Sequence, residues 1–289
     1  MPFSPSFSPW LGATVGVVSA VAIVAPAAIA QTFAVQTAPA NPQLGDTISV
    51  FITGASAQPT VQMGGQTYPA FALGGDRYRA MIPTSPLEAA GGRTIAVQTP
   101  QGERQTVSVN VRGRSFPTQR IWLSGGGSSA TEYELARVAQ FKTLVTPEKY
   151  WSGPLKRPSQ GGVSTIYGVR RYYNGVFAQN YYHRGVDYAA GTGTPVFAPA
   201  AGYIGLVDRE SNGFRVHGNT VGIDHGQGVL SIMLHLHTIN VQEGQFVQAG
   251  QRIGTVGSTG ASTGPHLHWG LYVHGVAIDP VPWRFEGLE

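Results

Sequence analysis

Val229-Leu230-Ser231-Ile232-Met233-Leu234-His235-Leu236-His237 is the stretch from which the fold can be read. Side chains of an extended chain alternate faces, so Leu230, Ile232, Leu234 and Leu236 point one way and Ser231, Met233, His235 and His237 the other. The aliphatic side is expected to meet a core and the histidine side to line a groove. Shorter strand-like runs surround it at Pro195-Val196-Phe197, Tyr203 to Val207, Val221 to Ile223, Phe246-Val247, Ile253 to Val256 and Leu267 to Leu271. No long helical pattern intervenes, which disfavours parallel βαβ units and leaves an antiparallel β-sheet domain over residues 161–289.

Before this domain the chain changes character twice. Thr47 to Ile52 is strand-like, Val61-Gln62-Met63 leads into a turn at Gly64-Gly65, and Gln105 to Val111 alternates strongly. Short alternating strands with turn signals about every ten residues predict a small antiparallel β-sandwich over 31–113. It reads as a binding or positioning module, or equally as a spacer or lid. Residues 114–160 form a connector with one helix, in which Leu135, Val138 and Phe141 fall at helical spacing and Ser128 or Ser129 is placed to cap the start. Gly125-Gly126-Gly127 reads as a hinge, and Lys142, Lys149 and Lys156 as a solvated surface. The fold class is therefore mainly β: an N-terminal β-sandwich, a short helical connector and a C-terminal antiparallel sheet domain.

Charged residues make up only 12% of the 289, Gly (39) and Pro (20) are abundant, and the 42% hydrophobic content is enough to fill cores. A net charge of +4 favours acidic partners without choosing among them. The first 45 residues carry no charged side chain. Leu11 to Val24 is a continuous run of apolar or small residues, and Ala28-Ile29-Ala30 precedes Gln31. Residues 1–30 read as a secretory signal cleaved after Ala30, with an uncleaved anchor as the alternative, so the remainder is expected outside the cytoplasm, periplasmic or extracellular. There is no cysteine, so disulfides and thiolate metal sites are excluded.

All eight histidines lie between His183 and His274. Three clusters stand out: His183-Arg184-Gly185-Val186-Asp187, His235-Leu236-His237, and His266-Leu267-His268 after Ser262-Thr263-Gly264-Pro265. In extended chain His183 and Asp187 share a face, as do His266 and His268. A catalytic zinc takes three protein ligands and keeps one position open, and two histidines with one aspartate satisfy that without cysteine.

His183-x3-Asp187, His235 in a strand, and Gly264-Pro265-His266-Leu267-His268 together resemble the lysostaphin and LytM type of zinc metallopeptidase, peptidase family M23. The resemblance runs from about Gly161 to Trp283 and includes Gly218 to Gly226 and Gly257 to Gly264. It implies one zinc per chain held by His183, Asp187 and His268, with His235 and His266 beside the open position to deprotonate water and stabilise an oxyanion. It also implies cleavage of peptide cross-links of bacterial peptidoglycan, with the peptide stems as partner, no nucleic acid, and room for a regulatory protein. Met233 stands where this family often has Tyr, and His237 where a small polar residue is common. His225 reads as a turn residue, His217 and His274 as surface residues, and Tyr181 and Tyr182 as candidate groove walls. Arg184 suits either a substrate carboxylate or a structural salt bridge.

Three other readings stand beside this one. A non-catalytic wall-binding activator is possible on the same fold. A lipoyl-type carrier is suggested by the hairpins from Val241 to Gly257, but no lysine follows Lys156 to carry the arm. A carboxypeptidase or amidase would use the same residue set.

Overall fold

The computed structural model describes residues 3–4, 33–122 and 129–286. The expected signal segment, apart from Phe3 and Ser4, lies outside these residues, as do Ser128 and the glycine hinge at 125–127.

Seven strands open the described chain: β1 (Ala34–Ala38), β2 (Thr47–Thr53), β3 (Thr60–Met63), β4 (Gln66–Gly74), β5 (Arg77–Pro83), β6 (Gly91–Gln98) and β7 (Arg104–Val111). They pair antiparallel in the order β1-β2-β5-β4-β3-β6-β7. The turn expected at Gly64-Gly65 joins β3 to β4, with Met63 opposite Gln66. The two ends of the sheet meet where Leu44 N–H donates to the Arg112 carbonyl and Arg112 N–H to that of Pro42. Ile48, Val50 and Ile52 on β2, Val61 on β3, and Ile95 and Val97 on β6 are fully buried in one cluster. Alternation along the strands thus produces the small β-sandwich read from the sequence.

Next come β8 (Thr118–Ile121), α1 (Glu132–Lys142), β9 (Gly162–Thr165), β10 (Arg170–Tyr173) and β11 (Val176–Phe177). Strand β8 pairs parallel with β10, which pairs antiparallel with β11. The principal sheet follows, from β12 (Val186–Ala189), β14 (Gly202–Asp208), β15 (Thr220–Asp224), β16 (Val229–Leu234), β18 (Phe246–Val247), β20 (His266–Val273) and β21 (Val276–Ile278), in the order β18-β14-β15-β16-β20-β12-β9 with β21 on β20. A smaller sheet, β13 (Pro195–Phe197), β19 (Arg252–Val256) and β17 (Leu236–Ile239), shares its core. Among the described residues α1 is the one α-helix, and no helix is long and apolar enough to cross a membrane.

Helix α1 is capped by Thr131, not by Ser128 or Ser129: the Thr131 hydroxyl accepts from Glu134 N–H, and the Glu134 carboxylate accepts from Thr131 N–H. The stripe it buries is also displaced. Val138 and Phe141 are buried, but Leu135 is 56% exposed, and the third buried position is Glu134. Phe141 lies against Gly222 of β15, where a Cβ would fall 2.7 Å from the ring. On the same sheet face, antiparallel pairing aligns Gly222 with Ile232, Ile232 with Gly270, and Leu234 with His268. The helix therefore covers the face of the sheet that carries His268.

Several polar residues are more enclosed than the sequence suggests. Lys142 is half-buried with Nζ 4.8 Å above the Tyr272 ring, and burial together with nearby Arg184 pushes its pKa down to about 8. It belongs to the packing and not to a solvated surface. His274 sits in the β20–β21 turn, 6.0 Å from the Tyr68 ring of the sandwich, with its pKa lowered by burial to about 4. His217 is half-buried against Glu134. Neither is a surface residue. Arg79 of β5 is fully buried, donating to Gln227 and stacked 5.3 Å from Trp151.

His225 is buried in the β15–β16 turn. Its Nδ1–H donates to the Ala201 carbonyl, and its Nε2 accepts from Ser231 Oγ, which in turn accepts from the Trp269 indole. Burial pushes its pKa down to about 4. An unfolded histidine takes up its proton near pH 6.5, so between that pH and 4 the unfolded chain binds more protons and stability falls with pH. His225 alone is expected to contribute on the order of 2–3 kcal/mol above pH 6.5 that is lost as pH approaches 4. Urea midpoints from pH 7 down to 4 check this, and a midpoint that does not move would mean the buried imidazoles titrate normally.

Candidate metal centre

Asp187 and His268 are direct partners across the antiparallel β12–β20 pair. Their side chains therefore leave the same face, and Asp187 Oδ1 lies 2.8 Å from His268 Nδ1. His183 precedes β12 and is held in place by main-chain hydrogen bonds, its N–H donating to Val169 and its carbonyl accepting from Gly168. Its Nε2 is 3.0 Å from Asp187 Oδ1 and 3.1 Å from His268 Nδ1. Gly185, between His183 and Asp187, has no room for a side chain: a Cβ would fall 2.3 Å from the Trp269 carbonyl oxygen and 2.8 Å from His268 Nε2.

His235 and His266 stand beside this triad, their rings 4.7 Å apart, and His266 Nε2 is 3.9 Å from Asp187 Oδ1. His235 does not arrive as the alternation predicts. Strand β16 stops at Leu234, and His235 takes a left-handed conformation with φ +62° before β17 begins in the other sheet. Both faces of β16 are buried, Ser231 and Met233 included, so it is a central strand without a polar side. The break brings His235 to the centre and leaves His237 exposed.

Main-chain carbonyls orient three of the imidazoles. Nδ1 of His183 lies 2.8 Å from the Ile166 oxygen, Nδ1 of His235 2.8 Å from that of Thr259, and Nδ1 of His266 2.8 Å from that of Gly264. Each carbonyl accepts a hydrogen bond from Nδ1–H, so each neutral ring keeps its lone pair on Nε2. Burial opposes the charge of Asp187, but the His183 and His268 imidazoles, 3.0 and 2.8 Å from its Oδ1, outweigh it and hold the carboxyl far below the usual range. Burial lowers His268 to about 4, and burial together with His266 and His268 lowers His235 to about 3.

Two imidazole nitrogens and a carboxylate oxygen thus converge within 3.1 Å of one another. Ligands about 2.0–2.1 Å from a tetrahedral ion stand about 3.3 Å apart, so this donor set fits a zinc-sized cation. The side chains expected at the site are brought together: His183, Asp187 and His268 as a possible ligand group, His235 and His266 next to it. Tyr181 and Tyr182 flank Arg184, whose guanidinium lies 5.4 and 5.3 Å from their rings. Among the described residues no carboxylate is within 4.0 Å of Arg184, so the salt bridge considered for it is not formed.

Glu134 was not legible as part of this region. Fully buried, its carboxylate accepts main-chain N–H groups from Arg215 (3.0 Å), Val216 (3.0 Å) and His217 (2.6 Å) and contacts His217 Nδ1 at 2.6 Å. Burial disfavours its charge, but the hydrogen bonds from His217 and Val216 more than compensate, and its pKa is lowered. The segment it grips supports His235 directly, since the His217 carbonyl accepts from His235 N–H at 3.0 Å. Support also runs through Thr259, which accepts from Asn219 N–H and whose carbonyl orients the His235 ring.

An antiparallel β-sheet domain with such a His-Asp-His group and two further histidines is the architecture of a metallopeptidase. Residues 181–280 match the model of peptidase family M23, and this stretch is an M23 peptidase domain. Over 99 residues, 34% of this chain and 22% of the relative, it is 46% identical to the DD-carboxypeptidase/endopeptidase Mpg of Neisseria meningitidis serogroup B. Over 118 residues, 41% of this chain and 26% of the relative, it is 39% identical to the peptidoglycan DD-endopeptidase ShyC of Vibrio cholerae. The chain thus spans about a quarter or less of these relatives. A crystal structure described as an M23 peptidase from Pseudomonas aeruginosa superposes with a TM-score of 0.65 at 26% identity, covering 85% of this chain and 96% of that one. The likeness of fold therefore extends well beyond the matched segment.

Two substitutions test the geometry. Gly185→Ala is expected to push β20 and His268 away from Asp187 and to weaken zinc binding at least about 10-fold, as loss of a ligand's support does; competition with a chromophoric chelator reads this, and unchanged affinity would show that the strands can separate freely. Glu134→Ala is expected to destabilise the fold by about 3 kcal/mol or more, since it strips several buried N–H groups of their acceptor. A loss within about 0.5 kcal/mol in urea unfolding would mean that water replaces the carboxylate.

Proposed function

We propose that the chain is a zinc-dependent endopeptidase that hydrolyses peptide cross-links of bacterial peptidoglycan. The observation that carries this reading is the convergence of His183 Nε2, Asp187 Oδ1 and His268 Nδ1 with His235 and His266 alongside. The names of the Neisseria and Vibrio relatives support the substrate class.

In this reading His183, Asp187 and His268 hold the metal. A bound zinc supplies a Lewis acid for the scissile carbonyl and makes water acidic near neutral pH. His266 and His235 do the proton work. Their Nδ1–H groups are committed to carbonyls, so each neutral ring can only accept at Nε2. One ring takes the proton of the attacking water, and as an imidazolium it then donates a hydrogen bond to the oxyanion and finally a proton to the leaving amine. Burial of Asp187 and His268 strengthens these interactions by excluding water. The reading places the protein in the cell envelope, in keeping with the signal-like residues 1–30 and with 36% identity over 173 residues to the Escherichia coli lipoprotein YgeR.

The test separates ligand from base. Purified protein is assayed for zinc content and for digestion of defined cross-linked muropeptides, with and without chelator. His268→Ala is expected to lose both zinc and activity while the sandwich stays folded. His266→Ala is expected to keep zinc and lose about 10²–10³ in turnover. Zinc lost on His266→Ala would make His266 a ligand, and full zinc binding by wild type without cleavage of any muropeptide would sink the hydrolase reading.

A further inference from the structure

Beside the metal centre lies a guanidinium held entirely by neutral groups. Arg171 stands on β10, two residues after Val169, whose carbonyl accepts the His183 N–H. Its Nε donates to Gln119 Oε1 at 3.1 Å, and its Nη1 reaches Tyr181 Oη at 2.8 Å and Tyr173 Oη at 3.4 Å. Tyr181 is in turn two residues before His183, and Arg171 lies 5.5 Å from its ring. Among the described residues no carboxylate is within 4.0 Å of Arg171.

A guanidinium carries five N–H donors in a planar fork shaped for a carboxylate. Here Nε and Nη1 are engaged, and among the described residues none takes the Nη2 edge. Side-chain order is already imposed by Gln119, Tyr173 and Tyr181, so a ligand need not supply it. Burial works against the charge, and Tyr181, Tyr173 and Asp187 more than offset it.

We infer that Arg171, braced by Gln119, Tyr173 and Tyr181, is a subsite for a free carboxylate on the substrate, borne on the carbon that carries the leaving amine. This rests on the peptidase reading above and adds to it the feature of the substrate that is recognised. A peptide advances about 3.3–3.6 Å per residue, so a carboxylate adjacent to the scissile bond stays beside the metal centre. Two wall structures offer that group: a direct cross-link to a diamino acid, and a stem ending in D-alanine. A glycine bridge offers none, so the subsite selects against it.

The experiment pairs substrate and residue. Wild type, Arg171→Gln and Arg171→Lys are compared on a directly cross-linked muropeptide dimer and on the same dimer with the carboxylate beside the leaving amine amidated. Wild type is expected to prefer the carboxylate form about 10- to 100-fold in kcat/KM, the scale of a charge-assisted hydrogen bond, mostly through KM. Arg171→Gln is expected to lose that factor on the carboxylate form and nothing on the amide, with Arg171→Lys between. A stem ending in D-alanine, tested in parallel, tells which of the two sources is used. Equal loss on both forms, or a wild type indifferent to amidation, overturns the subsite; the second result needs no variant and survives a misfolded one. Binding is measured apart from turnover, by calorimetry of the carboxylate and amide peptides on metal-loaded His266→Ala protein, with and without Arg171→Gln. If wild type cleaves nothing, the peptidase reading fails, and this arm still decides the subsite. A carboxylate preference of 10-fold or more that vanishes with Arg171→Gln supports it; no preference, or one that persists, refutes it.

Discussion

The pairing of Asp187 with His268 across β12 and β20 is the constraint on which the centre depends. Strand faces alternate with a period of two, so a slip of one residue would set Leu267 or Trp269 opposite Asp187 and turn the Asp187 and His268 side chains away from each other. What prevents the slip is the core. Trp269 and Leu267 are fully buried on the opposite face, with Trp269 donating to Ser231 and Tyr188 paired to Leu267. The apolar residues flanking His268 thus fix the register, and the register sets His268 against Asp187. Gly185 lets the chain from His183 pass close enough to complete the group.

Much of this was legible because it follows strand periodicity. His266 and His268 share a face of β20 as their spacing requires, whereas His183 precedes β12 and is brought to Asp187 by main-chain hydrogen bonds; the sandwich emerges from alternation and turns. The failures occur where the period breaks. His235 reaches the centre through a left-handed residue, a conformation that no hydrophobic pattern announces, and His237, with the same parity on paper, is left in solvent. Glu134 was hidden for a related reason. Positions 134, 138 and 141 are the buried stripe of α1, but an acidic residue at the first of them reads as a solvated helix start. Its neighbour Leu135 carries the expected chemistry and is largely exposed. Lys142 and His274 were misjudged because their enclosure comes from Tyr272 and from Tyr68, residues far away along the chain.

The connector and the strands around it belong to the working part of the molecule. Helix α1 covers through Phe141 the face of the principal sheet that carries His268, and Glu134 grips the segment that steadies His235. Strand β8, before the helix, pairs with β10 and brings Gln119 to Arg171. Phe141, Glu134, Gln119 and Arg171 all lie outside the matched stretch 181–280, so the packing around the centre extends beyond it.

Three imidazoles take their orientation from main-chain oxygens of Ile166, Thr259 and Gly264. A side-chain partner is erased by one codon change, but a carbonyl is supplied by whichever residue occupies the position. The tautomers of this centre are thereby insulated from point substitution in the loops that set them. Those loops are free to vary in composition while the proton arrangement persists, and they are exposed instead to changes of length. One residue inserted or deleted between Gly257 and His266 would move two of the three oxygens at once, so drift in this region should be plentiful in letters and sparse in gaps.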